Sequence, residues 1–293
     1  MMNVTSIRCL SLVATVIAML AVAPRVYGQA NFDNVEVTAT QLADNLYYLQ
    51  GQGGQIGVLV GPDGILMVDT QFAPLTDRIV AAIRKISNEP IKFALNTHEH
   101  GDHTGGNSNL AAMGVTVMAR DELRAALAGA ATPPERLPMV TYGGPVTFHM
   151  NGETVRAIPI PVAHTNGDTM VYFENADVLM TGDFFRSAGY PNIARQNGGT
   201  LEGMLLGLGR VIGTAGPNTR ILPGHGPIVG RDAVRAQRDL MLVLMKQVQE
   251  RLDQGMTEDQ IVAAGLTNAF DAQVNEPGTT NERFIRQLVQ ELQ

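Results

Sequence analysis

Short apolar runs separated by glycine, proline and asparagine turns fill the chain up to about residue 230, and they predict a fold rich in β-strands. The turn Gly61-Pro-Asp-Gly64 lies between two such runs and predicts a hairpin of residues 56–60 and 65–69. Apolar positions recur at helical spacing from Pro74 to Ser87 and from Thr200 to Ile212. Further strands are predicted at residues 35–40, 46–49, 93–96, 146–148, 155–160, 169–173, 178–181 and 220–222.

These elements form two similar series, each a run of strands followed by a helix and another strand. Two sheets packed face to face with helices outside would let each sheet bury its apolar faces. Amphipathic helices are predicted after this part of the chain, at residues 231–252, 258–264 and 281–292. The stretch Gly129–Gly144 is long enough to be a lid over a site. Gly51–Gly54 is either a mobile flap or an ordinary hairpin turn.

The first thirty residues have the layout of a secretory signal peptide. An apolar run from Cys9 to Ala23 follows Arg8, and small residues near Ala30 favour cleavage after that residue. A retained membrane helix is the alternative, although the run is shorter than the ~20 apolar residues of a span. We therefore expect a periplasmic or secreted protein without a membrane anchor after cleavage, whose domain comprises residues 31–293.

Composition narrows the classes of partner. Hydrophobic residues make up 45% of the chain and charged residues 17%, which predicts a globular protein. The formal net charge of -7 excludes nucleic acid as a partner, because that binding depends on Lys and Arg neutralising phosphates. A small-molecule substrate is expected, and the oligomeric state stays open. Cys9 is the only cysteine, so the mature protein would have no thiol nucleophile, disulfide or cysteine metal ligand.

The residues best suited to bind a metal follow directly after a predicted strand. The segment Asn96-Thr-His-Glu-His-Gly-Asp-His-Thr-Gly-Gly106 contains three imidazoles and two carboxylates, the usual ligand types for zinc. His98 and His100 are two residues apart and point to one side of an extended chain. A tight turn after them would bring Asp102 and His103 toward a neighbouring point. Two adjacent metal sites are therefore predicted.

Two more histidines lie at similar transitions from strand to loop. His164 follows the strand predicted at residues 155–160, and His225 lies in Pro223-Gly-His-Gly-Pro227 directly after another predicted strand. His149 differs because it lies inside a predicted hairpin strand, so it is interpreted as a solvated surface residue.

Taken together, these segments resemble the metallo-β-lactamase superfamily. The resemblance covers about residues 35–230 and rests on His98-Glu-His-Gly-Asp-His103, His164-Thr-Asn-Gly-Asp168, Thr181-Gly-Asp183 and Pro223-Gly-His-Gly226. It implies an α/β (α+β) fold, the four-layer αββα sandwich, with extra C-terminal helices at residues 231–293. The metals would lie at one edge between the sheets. Two zinc ions are implied, with iron or manganese as other possibilities.

The resemblance also implies a role for each candidate ligand. One zinc would have three histidine ligands, His98, His100 and His164. The other would be bound by Asp102, His103 and His225, and Asp183 would bridge the two ions. Alternatively, Gly182-Asp183 is only a turn, or Asp168 is the ligand; we expect Asp168 to support the loop of His164. Asp69 matches an acidic position that supports the ligands, or is an ordinary turn carboxylate.

The implied activity is hydrolysis, in which a metal-bound hydroxide attacks a carbonyl group. Asp102 would also orient the nucleophile and transfer its proton. β-Lactam ring opening is the first choice of substrate because the best-known secreted members act on it. Lactones, esters and thioesters are the alternatives, because a bridging aspartate is more typical of relatives that cleave those bonds.

Several side chains after Asp183 are candidates for the substrate pocket, and an arginine among them would pair with a substrate carboxylate. They are Phe184, Phe185, Arg186, Tyr190 and Arg195. Core aromatics and solvated arginines are the alternative interpretation.

Two other classes of function stay open. A diiron redox enzyme would share the fold, but such relatives typically carry Glu where His100 stands. A non-catalytic metal-binding protein of the cell envelope is the other class. A structural zinc site is closed, whereas the predicted ligand set leaves a coordination position open.

Overall fold

Two β-sheets form the centre of the molecule in the computed structural model, which describes residues 31–293. The first sheet is antiparallel from its first to its fourth strand and parallel from there to its seventh. Its strands follow chain order and are β1 (Thr38–Ala43), β2 (Leu46–Gln50), β3 (Ile56–Leu59), β4 (Ile65–Val68), β5 (Ile91–Leu95), β6 (Thr116–Arg120) and β7 (Val140–Tyr142).

The second sheet contains the remaining strands of the described chain. They are β8 (Val146–Met150), β9 (Glu153–Pro159), β10 (Thr169–Phe173), β11 (Val178–Gly182) and β12 (Arg220–Pro223). Their spatial order is β12-β11-β10-β9-β8, and only β11 and β12 pair in parallel. Since β9 and β11 are each antiparallel to β10, the strands β9, β11 and β12 all end at the same edge of the sheet.

Helices cover the outer faces of both sheets. They are α1 (Thr76–Arg84), α2 (Gly101–Thr104), α3 (Asn107–Ala112), α4 (Asp121–Gly129), α5 (Leu201–Thr214), α6 (Arg231–Asp253), α7 (Glu258–Ala263) and α8 (Thr280–Leu292). The amphipathic patterns after residue 230 correspond to α6, α7 and α8. A capping box of Thr257 and Gln260 begins α7 by satisfying backbone N–H groups at its first turn.

Alternation of side chains along the strands produces the layers, since successive residues face opposite sides of a sheet. In β4, Leu66 and Val68 belong to the core between the two sheets, whereas Ile65 and Met67 belong to the core beneath α1 and α3. Leu179 of β11 belongs to a third core, which α5, α6 and α8 cover. The order is therefore helix, sheet, sheet, helix, and the predicted αββα sandwich is confirmed.

The chain from residue 101 to 144 differs most from the sequence-based expectation. Helix α2 begins at Gly101, so Asp102 and His103 lie on a helical turn that is too short to produce a periodic pattern. Strand β6 was not predicted because it is short and buried on both faces, so its sequence Thr-Val-Met-Ala-Arg has no alternation of apolar and polar residues. The proposed lid at 129–144 contains β7 and lies along β6, where Met139 N donates to Val117 O.

The predicted signal peptide at residues 1–30 lies outside the described residues. Within the described part, no helix has both the length and the apolar character needed to cross a membrane.

Candidate metal centre

Loops at one edge of the sandwich bring the predicted ligands together. His98 and His100 follow the end of β5, and α2 then carries Asp102 and His103. The three strands of the second sheet that end at this edge each lead into one further candidate. These are His164 after β9, Asp183 after β11 and His225 after β12.

Three imidazole nitrogens form the first group of candidate ligand atoms. His98 Nε2 is 3.1 Å from His100 Nδ1, and His164 Nε2 is 3.0 Å from the same atom. His98 and His164 are fully buried. Three imidazoles that converge in this way suit one cation, because each offers one neutral nitrogen lone pair.

One carboxylate and two imidazoles, those of Asp102, His103 and His225, form the second group. Asp102 Oδ2 is 3.1 Å from His225 Nε2 and 3.7 Å from His103 Nε2. Asp183 lies between the groups, because its Oδ1 is 3.4 Å from His103 Nε2 and its Oδ2 is 3.8 Å from His164 Nε2. A carboxylate in this position can contact two cations at once.

Two atoms of this cluster test whether a metal fits. His103 Nε2 and Asp183 Oδ1 are buried without a hydrogen-bond partner among the described residues. A buried polar atom without a partner costs about 1–3 kcal/mol. A metal ion would satisfy both atoms, and mixed imidazole and carboxylate ligands are typical of zinc. The residues present therefore fit a metal.

The outward-facing ring nitrogens of four histidines have hydrogen-bond partners of their own. His98 Nδ1 contacts Thr97 Oγ1 at 3.1 Å, His100 Nε2 contacts Asn197 Oδ1 at 3.2 Å, His103 Nδ1 contacts Asp69 Oδ2 at 2.7 Å, and His164 Nδ1 contacts the backbone oxygen of Asn192 at 2.6 Å. Donation of the outer N–H leaves the other nitrogen of each ring as an acceptor that faces the cluster. Such outer contacts fix the tautomer and orientation of metal-binding histidines.

Close backbone approach also fixes the cluster. A Cβ atom at Gly54 would lie 2.1 Å from His103 Cε1, and one at Gly224 would lie 2.0 Å from Asp183 Oδ1. Glycine is required at both positions because any side chain would displace a candidate ligand.

The imidazoles differ in their affinity for protons. Burial lowers the pKa of His98 well below its usual range and that of His164 to about 4. Burial also opposes the charged form of His103, but the carboxylates of Asp69 and Asp183 outweigh it and raise the pKa of His103 well above its usual range.

In the second group, the environment favours the charged forms of both Asp102 and His225. Burial favours the neutral form of Asp102, yet the hydrogen bond from His225 lowers the pKa of this carboxyl to about 2. The pKa of His225 is raised, because its bonds to Asp102 and Asp183 outweigh the effect of burial. A metal would therefore have to displace protons mainly from the second group.

Three further residues from the sequence analysis, Asp69, Asp168 and His149, have the surroundings that were expected of them. Asp69 is buried and accepts hydrogen bonds from Thr97 N and Thr97 Oγ1 at 2.7 and 2.8 Å, besides its contact with His103. Asp168 accepts from the backbone and hydroxyl of Thr165 and so holds the loop that carries His164. His149 is exposed on β8.

The candidate pocket residues lie in different surroundings. The aromatic candidates Phe184, Phe185 and Tyr190 all belong to the core that α5, α6 and α8 cover, and Phe185 and Tyr190 also line a cavity beside it. Their rings are buried because the chain turns back beneath these helices after Asp183. Arg195 pairs with Glu291 at 3.1 Å and has no contact with a candidate ligand.

Arg186 is the one candidate of this set beside the cluster, with Nη1 3.9 Å from Asp183 Oδ2. Asn197, in a 3-10 turn at Arg195–Asn197, was not predicted although it contacts His100. Nothing in the residue pattern marks Asn197, because only the folded chain brings it to the cluster.

Comparison with known proteins identifies the family and the fold of the chain. The family model described as the metallo-beta-lactamase superfamily matches residues 50–231. A metallo-beta-lactamase from Pontibacter korlensis has a similar fold, with a TM-score of 0.63 and 19% identity, over 71% of this chain and 99% of that one. The DIM-1 metallo-beta-lactamase gives a TM-score of 0.62, also at 19% identity, over 71% of this chain and 98% of that one.

Curated relatives are more similar in sequence than these structures, but the similarity covers a smaller part of their own length. The lactamase-like protein nscB of Neosartorya fischeri is 29% identical over 62% of this chain and 50% of its own length. A hydroxyacylglutathione hydrolase of Nitrosococcus oceani is 30% identical over 52% of this chain and 55% of its own length. The chain thus spans about half the length of the curated relatives it matches.

Proposed function

Since the chain belongs to the metallo-beta-lactamase superfamily, we propose that this hydrolase uses two zinc ions to cleave a carbonyl–heteroatom bond. The observation that carries the proposal is the convergence of two ligand groups on Asp183. The first group would hold one ion and the second group the other, with Asp183 between them. The members are His98, His100 and His164 in the first group, and Asp102, His103 and His225 in the second.

When bound, two zinc ions would lower the pKa of a water molecule toward ~7 and polarise the substrate carbonyl. Asp69 would keep His103 Nε2 available as a ligand by accepting from Nδ1. Asp102 is the carboxylate that would orient the attacking water and receive its proton. Its side chain is 24% exposed, against 6% for Asp183, so Asp102 can return that proton to solvent.

Arg186 would position the substrate. Its Nε is buried without a hydrogen-bond partner in the described chain, and its Nη1 lies 3.9 Å from Asp183 Oδ2. A guanidinium at this place would bind a substrate carboxylate through charge-assisted hydrogen bonds.

Esters, thioesters and lactones are the first substrates to test. Sequence similarity to a hydroxyacylglutathione hydrolase supports this order, because the likeness to metallo-beta-lactamases at 19% identity concerns the fold alone. β-Lactam amides are the second candidate, which the predicted export of the protein favours.

The experiment combines metal analysis with a hydrolysis panel of aryl esters, acyl thioesters, lactones and a chromogenic cephalosporin. Wild-type protein is expected to hold two zinc ions and to lose activity with a chelator. His103→Ala is expected to lose metal and at least ~100-fold in kcat/KM, because it removes a proposed ligand of the second ion. His149→Ala is the matched control, since His149 is exposed on β8 and outside the cluster.

Other results would select another class. Bound iron with oxygen consumption would indicate a diiron redox enzyme. Stable metal without turnover of any substrate would indicate a metal-binding envelope protein. Equal metal content and activity in His103→Ala and wild type would refute the proposed site.

Export is a separate proposal, supported by the apolar run from Cys9 to Ala23 and the small residues before Asn31. We expect the protein recovered from the periplasm or medium to begin at Asn31 on N-terminal sequencing. Recovery of the intact N-terminus from the cytoplasm would contradict it.

A further inference from the structure

A cavity of about 530 Å³ lies between the loop that follows Asp183 and the C-terminal helices. Small-molecule sites usually have volumes of ~300–1,000 Å³. The lining comes from residues 185–191, residues 227–229, α6 and residues 270–275. It is mainly apolar and includes Phe185, Val229, Leu240, Val243, Phe270 and Val274. We call this space the C-terminal cavity.

The C-terminal cavity adjoins the proposed metal centre because both use the same two loops. Arg186 lines the cavity, and its guanidinium reaches back to within 3.9 Å of Asp183 Oδ2. Ser187, also in the lining, donates its backbone N–H to His225 O at 3.1 Å. Pro227 of the lining is two residues beyond His225. Arg186 therefore lies at the boundary between the proposed centre and the C-terminal cavity.

Hydrogen bonds hold the walls in place and occupy several of the polar groups. Tyr190 donates its hydroxyl to Asp271 Oδ1 at 2.6 Å, and Gly189 N donates to Asn275 O at 2.6 Å. Gln237 of α6 donates to the backbone oxygen of Arg186 at 2.8 Å. The cavity is thus preformed, and most of the surface left to a ligand is apolar.

We infer that the C-terminal cavity receives an uncharged apolar acyl group of the substrate. This inference rests on the proposed hydrolase function and narrows its substrates to carbonyl compounds that carry an aliphatic or aromatic acyl chain. Helix α6 and residues 270–275 would then determine specificity. A charged peptide-like substituent such as glutathione is disfavoured, because its polar groups would lose water against an apolar wall.

The test is a series of aryl esters with acetyl, butyryl, hexanoyl and octanoyl chains, which differ only in acyl length. Each methylene buried in the cavity is expected to raise kcat/KM by about fourfold. The measured quantity is the ratio of kcat/KM for the octanoyl ester to that for the acetyl ester.

Ala236→Trp fills the cavity from α6, and it is expected to lower that ratio at least tenfold. Arg235→Trp is the matched control, because Arg235 is the preceding, exposed residue and is outside the lining. Ala233→Leu intrudes less into the same space and is expected to lower the ratio by a smaller factor. It keeps the test valid if Ala236→Trp does not fold, which thermal denaturation will show.

A ratio that does not change in folded Ala236→Trp and Ala233→Leu would overturn the inference while leaving metal-dependent hydrolysis intact. If wild type hydrolyses no substrate of the panel, the proposed function fails, and calorimetric titration with 1-octanol then tests the apolar cavity by itself. Binding to wild type that is at least tenfold weaker in Ala236→Trp supports the apolar cavity. Equal binding, or no binding to wild type, overturns it.

Discussion

At the scale of single residues, a substitution of Asp69 tests whether its hydrogen bond with His103 Nδ1 affects how tightly His103 binds a metal. Asp69→Asn keeps a residue that tolerates the positive φ of 68° but replaces the acceptor facing His103 Nδ1 by a donor. The affinity for the metal ion proposed for the group of Asp102, His103 and His225 is expected to fall about 10–100-fold. Competition with a chelating dye measures this affinity. Asp177→Asn is the control, since Asp177 also has a positive φ of 52° and contacts Tyr172 and Thr219 instead. Equal effects of the two substitutions would contradict the role of Asp69.

The pKa shifts predict that the two proposed metal ions leave at different pH values. His103 and His225 have raised pKa values, so protons begin to compete for the second group as soon as the pH falls through those values. In the first group, the pKa of His164 is lowered to about 4, so its nitrogen stays free of protons over a wider range of pH. Acidification should therefore release the metal of the second group first. Metal content after dialysis at stepwise lower pH measures this, and simultaneous loss of both metals would refute it.

The residues able to bind a metal could be predicted from the sequence, whereas the directions in which side chains point in the folded chain could not. His98, His100 and His103 stand in a motif whose spacing is itself unusual, and a strand end fixes where it begins. The burial of Phe184 and Tyr190 in the core could not be predicted, because adjacency to Asp183 in sequence does not reveal that the chain turns beneath α5 and α8. That turn depends on tertiary packing, which no local pattern encodes.

At the scale of elements, the glycines of α5 differ in the space that a Cβ atom would have. A Cβ at Gly203 would lie 1.5 Å from Val162 O, whereas Gly209 and Gly213 have no atom within 4 Å of that position. Gly209→Ala and Gly213→Ala are each expected to raise the free energy of unfolding by about 0.5–1 kcal/mol, because alanine restricts the unfolded chain and favours helix. Gly203→Ala is expected to lower it by about 1–3 kcal/mol through overpacking. Urea denaturation measures all three, and a uniform effect would contradict the division.

Elements with a strong period or a clear turn were predictable, and short or fully buried ones were not. The hairpin of β3 and β4 follows from Gly61-Pro-Asp-Gly64, and α6 follows from a long amphipathic pattern. Strand β6 and helix α2 were missed, because one is buried on both faces and the other has only four residues.

At the scale of the whole molecule, one apolar core joins the second sheet to α5, α6 and α8. Residues 32–293 should therefore unfold in one cooperative transition, in which metal release and loss of helix coincide. Phe284→Ala tests this coupling, because Phe284 of α8 is fully buried and stacks on Tyr190 at 6.1 Å between ring centroids. It is expected to cost about 3–5 kcal/mol and to lower the midpoint of both signals together.

Leu206→Ala on α5 is the control for Phe284→Ala, because Leu206 is 55% exposed and outside that core. Its free energy of unfolding should change by no more than about 0.5 kcal/mol. Circular dichroism during heating reports the helices, and a metal-sensitive dye reports the centre. In Phe284→Ala, part of the helical signal could be lost at a lower temperature than the temperature at which the metal is released. That result would show that the C-terminal helices are an independent unit. Because α6 and residues 270–275 line the C-terminal cavity, independence would leave that cavity without a fixed wall.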